Sequence, residues 1–528
     1  MTQWIAAIAR GHNSGVCLLK DGELVLSIEE ERFSRKKYDG GPLASMVKIL
    51  EYTDTLDYLV IAHTQPLDQA GTIDFTGENM YTGLARKLGL IDRKADIYKH
   101  PQVIDMSRYH HKLHSSCAFF RSGFKSAVSV IVDGAGTFIP MSIEGEDVLT
   151  WELETIIDCD YPDKFTTLYK HQGGRGPWAS VKIPNFSSEY YGEEGTHELV
   201  LDETAGIVKA YEAVTQYCGW APIEAGKTMG LFPYGSQNLN IPDIYTNYDG
   251  MSDWSTTNRD LIVPTYPNGA VVNKGRFTEL RDPVDLKPED DLTKLQSRRD
   301  LAYAIQTESE QMVLDLIRKA VKMTGKKNVV LSGGYGLNCV ANYWYLEQLK
   351  DEGIDLFVEP VSNDAGTAIG AAYLQYQRVS KSKEVKPMIK DLYYGPTYEY
   401  DKEYITDLAN YYNATRIYEA DHEDAVDLIT SKNIVALFQG RSEAGPRALG
   451  NRSIMYDPRD PKGKDHVNTI KRREYFRPFA GSILKEHVHE WFDLRGMDET
   501  PFMMYAVRCQ EGIEEKIPAI IHVDDTCR

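Results

Sequence analysis

Asn328-Val-Val-Leu331-Ser332-Gly333-Gly334-Tyr335-Gly336 is a short apolar run that empties into a glycine-rich turn. Ala127-Val-Ser-Val-Ile-Val132 followed by Asp133-Gly134-Ala135-Gly136-Thr137 has the same build, and Leu356-Phe357-Val358 precedes Asn363-Asp364-Ala365-Gly366. Short β-branched and apolar runs bounded by glycines read as buried strands. Just before the first of these runs, residues 296–324 fit a long amphipathic helix, with Leu301, Ile305, Met312, Leu316 and Ala320 near one face and Gly325 as its stop. Beyond the third, Gly370-Ala371-Ala372 allows close helix packing. Strand, glycine loop and helix in repetition predict an α/β fold.

Working outward, Ile5–Ala9 and Val16–Leu19 read as a hairpin around Gly11-His12-Asn13-Ser14-Gly15. Asp21-Gly22 then turns the chain into Leu24–Ile28. The charged run Glu29–Lys37 reads by itself as a solvated helix face. Residues 236–292, rich in Asn, Asp, Pro and Tyr, read as an insertion, and 379–396 as a linker. Past it, Ala425–Ile429 reads as helix, while Ile434–Phe438 and Ala519–Val523 read as strands. The expected division is therefore 1–385 and 396–528.

Composition narrows the function. The 528 residues carry 59 Lys+Arg against 78 Asp+Glu, a net charge of −19. That balance argues against bulk binding to nucleic acid or to anionic membranes. No apolar run approaches the roughly 20 residues of a membrane helix. No basic segment followed by an apolar one opens the chain. The seven cysteines include no CxxC pair. A reduced, cytoplasmic protein with no membrane partner is expected.

Four constellations could do chemistry. In Tyr109-His110-His111-Lys112-Leu113-His114, His110 and His114 are i and i+4 on a helix and can share a metal ion, while His111 offers an alternative i, i+3 pair with His114. A bare HxxxH is equally the pattern of a packing pair. Asp133 and Asp364 sit at strand ends, where α/β sheets open to ligand; each alone is as readily a helix cap. Two His and two Asp would complete a shell suited to divalent iron, manganese or zinc. Gly134 and Gly136, like the glycines of 226–231 and 332–338, let phosphates approach backbone N–H groups, although neither a Walker A loop nor GxGxxG is present. Finally, Gly440-Arg441-Ser442-Glu443-Ala444-Gly445-Pro446-Arg447-Ala448-Leu449-Gly450-Asn451-Arg452-Ser453 continues to Lys471, Arg473 and Arg477. Arginines held by Gly and Pro turns present fixed forks to anionic oxygens.

Together these motifs resemble the ATP-dependent O-carbamoyltransferases, the family of the nodulation-factor and tobramycin/novobiocin-type enzymes. The matching pieces are GHNS at 11–14, EERFSRKK at 30–37, HHKLH at 110–114, DGAG at 133–136 and GKTMGLFPYG at 226–235. GGYGLN at 333–338, NDAG at 363–366 and GRSEAGPRALGNRS at 440–453 complete the set. The resemblance implies an actin/sugar-kinase-like (ASKHA) metal domain followed by an α+β YrdC-like domain. The second makes carbamoyladenylate from carbamoyl phosphate and ATP, with Mg2+, and the first moves the carbamoyl group to a hydroxyl of a small-molecule or sugar acceptor.

By motif position, the resemblance gives iron to His110, His114, Asp133 and Asp364, and catalytic roles to His12, Lys37 and Lys227. It gives the nucleotide and carbamoyl phosphate to Arg447, Lys471, Arg477 and Arg528, with Gly134, Gly136, Gly333, Gly334 and Asn338. Asn13 stands where the family motif has Asp. The family continues past the motif that contains Arg528, so the YrdC-like domain is expected to be truncated, with Arg528 on a fraying end. A homodimer is among the assemblies allowed. The alternatives are hydrogenase-maturation-type or tRNA threonylcarbamoyl-type transfer, or a nucleotide-binding module with impaired turnover.

Overall fold

A computed structural model of the chain describes residues 2–64, 72–73, 78–93, 100–143, 145–174, 181–186, 196–247, 255–265 and 268–528. Parts of the expected insertion, 248–254 and 266–267, lie outside the described residues.

The first sheet holds β1 (Trp4–Ala9), β2 (Gly15–Lys20), β3 (Glu23–Glu29), β4 (Tyr58–Ala62) and β5 (Val103–Asp105) in the order β3-β2-β1-β4-β5. The first three strands pair antiparallel and the last two join in parallel. Asp21 and Gly22 between β2 and β3 both have positive φ, 51° and 81°, as a two-residue hairpin turn matched to strand twist requires. Ile5 to Ala9 are all buried, which explains an unbroken apolar run in place of an alternating one.

Helix α1 (His110–Arg121) leads into the second sheet: β6 (Ser126–Val132), β7 (Phe138–Ile143), β8 (Glu146–Asp160), β9 (Lys164–Gly174), β10 (Val181–Phe186) and β11 (Thr196–Asp202). After α2 (Ile207–Tyr217) and α3 (Gln296–Thr324) come β12 (Asn328–Ser332), α4 (Cys339–Leu349), β13 (Asp355–Val358) and α5 (Ala365–Ser380). The order is β10-β11-β9-β8-β6-β12-β13, with β7 on β8. Within it, β9-β8-β6 pair antiparallel while β6-β12-β13 pair in parallel, the scheme of the first sheet repeated. Two such mixed sheets, with helices packed on them, make this an α/β fold. The helix expected over 296–324 spans those residues, ended by Gly325 at φ 72°. Its buried stripe is Leu301, Ile305, Val313, Ile317 and Ala320, so Met312 and Leu316 belong to its half-buried flank.

Helices α1 and α5 bind the two sheets together. α5 packs on β1, β2 and β4, while α1 packs on β6 and β12. Their mutual approach depends on Gly370, while Gly366 lets α5 fold back on its own leading segment. A Cβ on Gly370 would lie 1.9 Å from the Leu113 carbonyl oxygen, and one on Gly366 would lie 2.0 Å from that of Val361. Ser116 Oγ also donates to the Gly370 carbonyl at 2.8 Å. A buried ion pair, Arg121 Nη1 to Glu359 Oε1 at 2.7 Å, ties the end of α1 to the segment that carries Asp364.

Two expectations are corrected. The charged run is not a solvated helix: Glu29 ends β3, only Glu31–Ser34 is helical, and Glu30 is buried. The Glu30 carboxylate accepts from the N–H groups of Ala44 and Ser45 and from Ser45 Oγ, at 2.7–2.8 Å, which compensates its burial. Residues Ala519–Val523 are not a strand. Turns close there instead, with Ala519 N–H on the Pro458 carbonyl and Ile520 N–H on that of Ile517.

The chain forms two compact units, Met1–Lys390 with Met504–Ala506, and Asp391–Met503 with Val507–Arg528. The second contains α6 (Lys402–Tyr411), α7 (His422–Thr430), a hairpin of β14 (Val435–Phe438) and β15 (Arg452–Met455), and α8 (Gly463–Ile470). β16 (Phe492–Asp493), β17 (Val507–Cys509) and β18 (Thr526–Cys527) form its second sheet. Among the described residues no helix is long and apolar enough to cross a membrane.

Because the α1–α5 contact leaves no room for a methyl group at Gly370, Gly370→Ala should destabilise the fold by about 1–3 kcal/mol, the usual cost of overpacking. Chemical denaturation followed by circular dichroism checks this. An unchanged midpoint would mean that the helices separate without cost.

Candidate metal and transfer site

Three elements of the first unit carry the HxxxH pair and the two aspartates to one point. His110 opens α1 and His114 lies one turn further on, so their imidazoles share a face. Asp133 follows β6, and Asp364 stands at the N-cap position of α5. His110 Nε2 is 3.2 Å from His114 Nε2, 3.4 Å from Asp133 Oδ2 and 3.6 Å from Asp364 Oδ1. His114 Nε2 lies 4.0 Å from Asp133 Oδ2 and 3.7 Å from Asp364 Oδ1. All four donor atoms fall within 4.8 Å of one another.

Neighbouring groups set these orientations. Asp133 Oδ1 accepts the Gly334 N–H at 2.9 Å, which leaves Oδ2 for the histidines. The His110 N–H donates to Thr137 Oγ1 at 3.2 Å, and that hydroxyl donates to the Ser107 carbonyl at 3.0 Å. His111 is turned away, its Nδ1 on Thr155 Oγ1 at 2.7 Å, so the alternative pair with His114 does not form. Both cluster histidines are buried, at 2% and 0% exposure.

The electrostatics favour a cation. Burial by itself would lower the pKa of His110, yet Asp133 and Asp364 outweigh it and lift that pKa to about 10. Burial would likewise raise both aspartates, but His110 and its neighbours hold the Asp133 carboxyl below the usual range, and His12, His110 and His114 do the same for Asp364. Two nitrogens and two oxygens facing one buried point fit a first-row divalent metal.

His12, in the turn between β1 and β2, lies at the rim. Its Nδ1 is 3.7 Å from Asp364 Oδ2 and its side chain is 46% exposed. Lys37 pairs with Glu31 Oε1 at 3.6 Å, on a segment whose Gly40 would bring a Cβ within 3.5 Å of the Gly11 carbonyl. Lys227 stands on the separate helix Ala225–Leu231, paired with Glu224 at 2.8 Å.

The glycines do packing work as well. A Cβ on Gly333, at φ 90°, would meet the Val132 carbonyl oxygen at 2.3 Å, and one on Gly136 would meet Glu152 Oε2 at 2.5 Å. The Gly334 N–H is occupied by Asp133. Gly134 faces Lys209 and Glu212 on α2. Asn338 caps α4 and exchanges two hydrogen bonds of 3.1 Å with Gln306.

Helix α2, which borders Gly134, is itself held by a buried charge network. His171 sits between Glu154 Oε2 at 2.6 Å and Asp202 Oδ2 at 2.8 Å, and Glu154 Oε1 accepts the Ile207 N–H that starts the helix. Burial would lower the His171 pKa, but Asp202 and Glu154 raise it from 6.5 to about 10.

In the second unit, Glu443 shapes the Arg447 loop by accepting from the N–H groups of Leu449, Asn451 and Arg452. Burial, Arg473 and Arg477 lower the Lys471 pKa, which places three cations in one neighbourhood. Arg528 is buried at 9% exposure beside β18, so the expectation of a frayed end there is corrected. The structure brings together all four expected metal ligands and His12. One further group was not singled out by the sequence: His63, just past β4, is held near pKa 4 by burial, Arg10 and His110. A histidine at the end of the apolar run Tyr58–Ala62 was the available signal for it. Arg473, part of the basic block, lies beside Lys471.

Comparison with known proteins identifies the family. Residues 69–373 match the family described as carbamoyltransferase N-terminus, and residues 426–528 match carbamoyltransferase C-terminus. The chain belongs to the carbamoyltransferase family and is a transferase enzyme. It is 28% identical to nodulation protein NolNO of Sinorhizobium fredii, over 98% of this chain and 69% of that protein. The uncharacterized Synechocystis protein sll1178 is also 28% identical, over 100% of this chain and 86% of its own. A solved structure of full-length HypF in a phosphate- and nucleotide-bound form shares 13% identity, with a TM-score of 0.39 over 72% of this chain and 47% of that one.

Two outcomes are expected. Protein purified and analysed by elemental mass spectrometry should carry close to one first-row metal per chain, and Asp364→Ala should lose it; equal metal content in both would remove the cluster from consideration. The stabilisation from His171 is present below pH 6.5 and is lost as pH rises towards about 10. The melting temperature should therefore fall across that window, and fall less steeply in Glu154→Gln, where one of the two carboxylate partners is gone.

Proposed function

We propose that this carbamoyltransferase is an O-carbamoyltransferase working in two steps, activation on the basic segment of the second unit and transfer at the His–Asp cluster of the first. The observation that carries the reading is the convergence of His110, His114, Asp133 and Asp364 beside the half-exposed His12. It is supported by the family membership of both halves of the chain.

In the activation step, water cleaves carbamoyl phosphate to phosphate and carbamate, a carbamate oxygen then bonds to the α-phosphorus of ATP, and the bond from that phosphorus to the bridging oxygen breaks as pyrophosphate departs. Arg447, Lys471, Arg477 and Arg528 are the cations assigned to these anions, with Arg473 added by its place beside Lys471. Adenylation turns a poor leaving group into AMP.

In the transfer step, the acceptor hydroxyl oxygen bonds to the carbamoyl carbon and AMP leaves. His12 is placed to take the hydroxyl proton, since its ring is exposed on one side and faces Asp364 Oδ2 on the other. A divalent ion held by His110, His114, Asp133 and Asp364 supplies Lewis-acid polarisation of the reacting oxygens when bound. The buried walls around His110 and His114 keep water from competing with the acceptor. The acceptor class is a hydroxyl-bearing small molecule or sugar.

Two variants separate the steps. Lys471→Ala should reduce carbamoyl-phosphate-dependent ATP–pyrophosphate exchange at least about a hundredfold, the scale of losing one fixed cation at a phosphoryl centre. His110→Ala should keep exchange and lose transfer. Loss of exchange in His110→Ala, or normal exchange in Lys471→Ala, would show that the division of labour is wrong.

A further inference from the structure

A cavity of about 350 Å³ lies against the C-terminal end of α2, on residues that the transfer chemistry does not use. Ala213, Val271, Val272 and Leu292 give it an apolar wall, and Lys274, Asp282 and Arg298 give it a polar end. Its size falls within the range of small-molecule sites, which combine an apolar lining with a few polar anchors.

Arg298 is the unusual member. It is 2% exposed, and its guanidinium lies 3.5 Å from the centroid of the Tyr217 ring, which also lines the cavity. Nη2 pairs with Asp282, while Nε and Nη1 have no hydrogen-bond partner among the described residues. Lys274 pairs with the same carboxylate. Two cations thus share one anion, and one of them is buried with two donors unmet. The excess of positive charge at this end of the cavity is balanced when an anion binds there. The apolar wall selects the rest of the ligand.

We propose that this cavity is a binding site for a small organic monoanion, a carboxylate on an apolar body, whose oxygens bond to Arg298 and Lys274 while its apolar part lies against Val271, Val272 and Leu292. The proposal goes beyond the transfer reading and does not depend on it. The two places share one element: α2 faces Gly134 with Val208, Lys209 and Glu212, and the cavity with Ala213 and Tyr217.

The test is isothermal titration of the full chain with sodium benzoate and, as a neutral isostere, with benzamide. Benzoate should bind saturably at one site per chain, and benzamide at least about tenfold more weakly, the effect of losing one charge-assisted hydrogen bond. Lys274→Met should weaken benzoate binding about tenfold, by the same reasoning. Val272→Phe, which fills the apolar end, should abolish it. Both positions are partly exposed, so these variants test the site without relying on removal of the buried Arg298. His110→Ala should bind benzoate as the parent does, which separates this site from the metal cluster. No saturable benzoate binding, equal binding of benzamide, wild-type affinity in Val272→Phe, or loss of binding in His110→Ala would each overturn the proposal.

Discussion

Two imidazole nitrogens 3.2 Å apart, faced by two carboxylate oxygens in a buried site, cannot remain uncompensated, and the first unit is organised around that demand. Two neutral imidazoles can place at most one shared proton between these nitrogens and leave the carboxylates unbalanced, and two carboxylates repel at this range. A positive charge at the centre satisfies all four groups at once, whether as a proton on His110 or as a metal ion. The upward shift of His110 and the downward shifts of both aspartates are one preference seen from three residues.

Holding four such groups together takes rigid elements, because a loose cluster would relax away from its own repulsion. The histidines lie one helical turn apart on α1, so their spacing is set by the backbone. Gly370 brings α5, and with it Asp364, to within contact of α1. The parallel pairing of β6 with β12 places the Gly334 N–H on Asp133 and spends one of its oxygens, which aims the other. Gly333 permits that pairing, since any side chain there would strike the Val132 carbonyl. The pair α1 and α5, bound between the two sheets, therefore serves both as the core of the unit and as the frame of its site.

Much of this was legible because it is encoded locally. A strand that ends in glycines, an i, i+4 histidine pair and an Asp-Gly hairpin each state their geometry within a few residues. What was not legible depends on partners far away in sequence. Glu30 looked solvated because nothing nearby reveals that Ser45 would satisfy its carboxylate. The stripe of α3 was misplaced by one residue at Val313 and Ile317, since a helix with apolar residues on adjacent positions leaves the buried edge to its neighbours. Ala519–Val523 has strand composition, but its backbone bonds go to turns and to Pro458. The Asn338 side chain caps α4 and bonds Gln306 on another helix, partners its own motif does not reveal.

The same reasoning explains how a chain of net charge −19 can carry a local cluster of cations. Net charge governs the far field, while a binding site answers to the charges within a few ångströms. In the basic segment the Lys471 and Arg473 pKa values are lowered by burial and by neighbouring cations, so these groups destabilise one another when no anion is present. Glu474, the one acidic residue among 471–477, pairs with Arg477 at 3.5 Å. In the proposed activation step an arriving phosphate would relieve a repulsion the fold already carries. A net charge of −19 weakens the long-range attraction of polyanions to such a cluster.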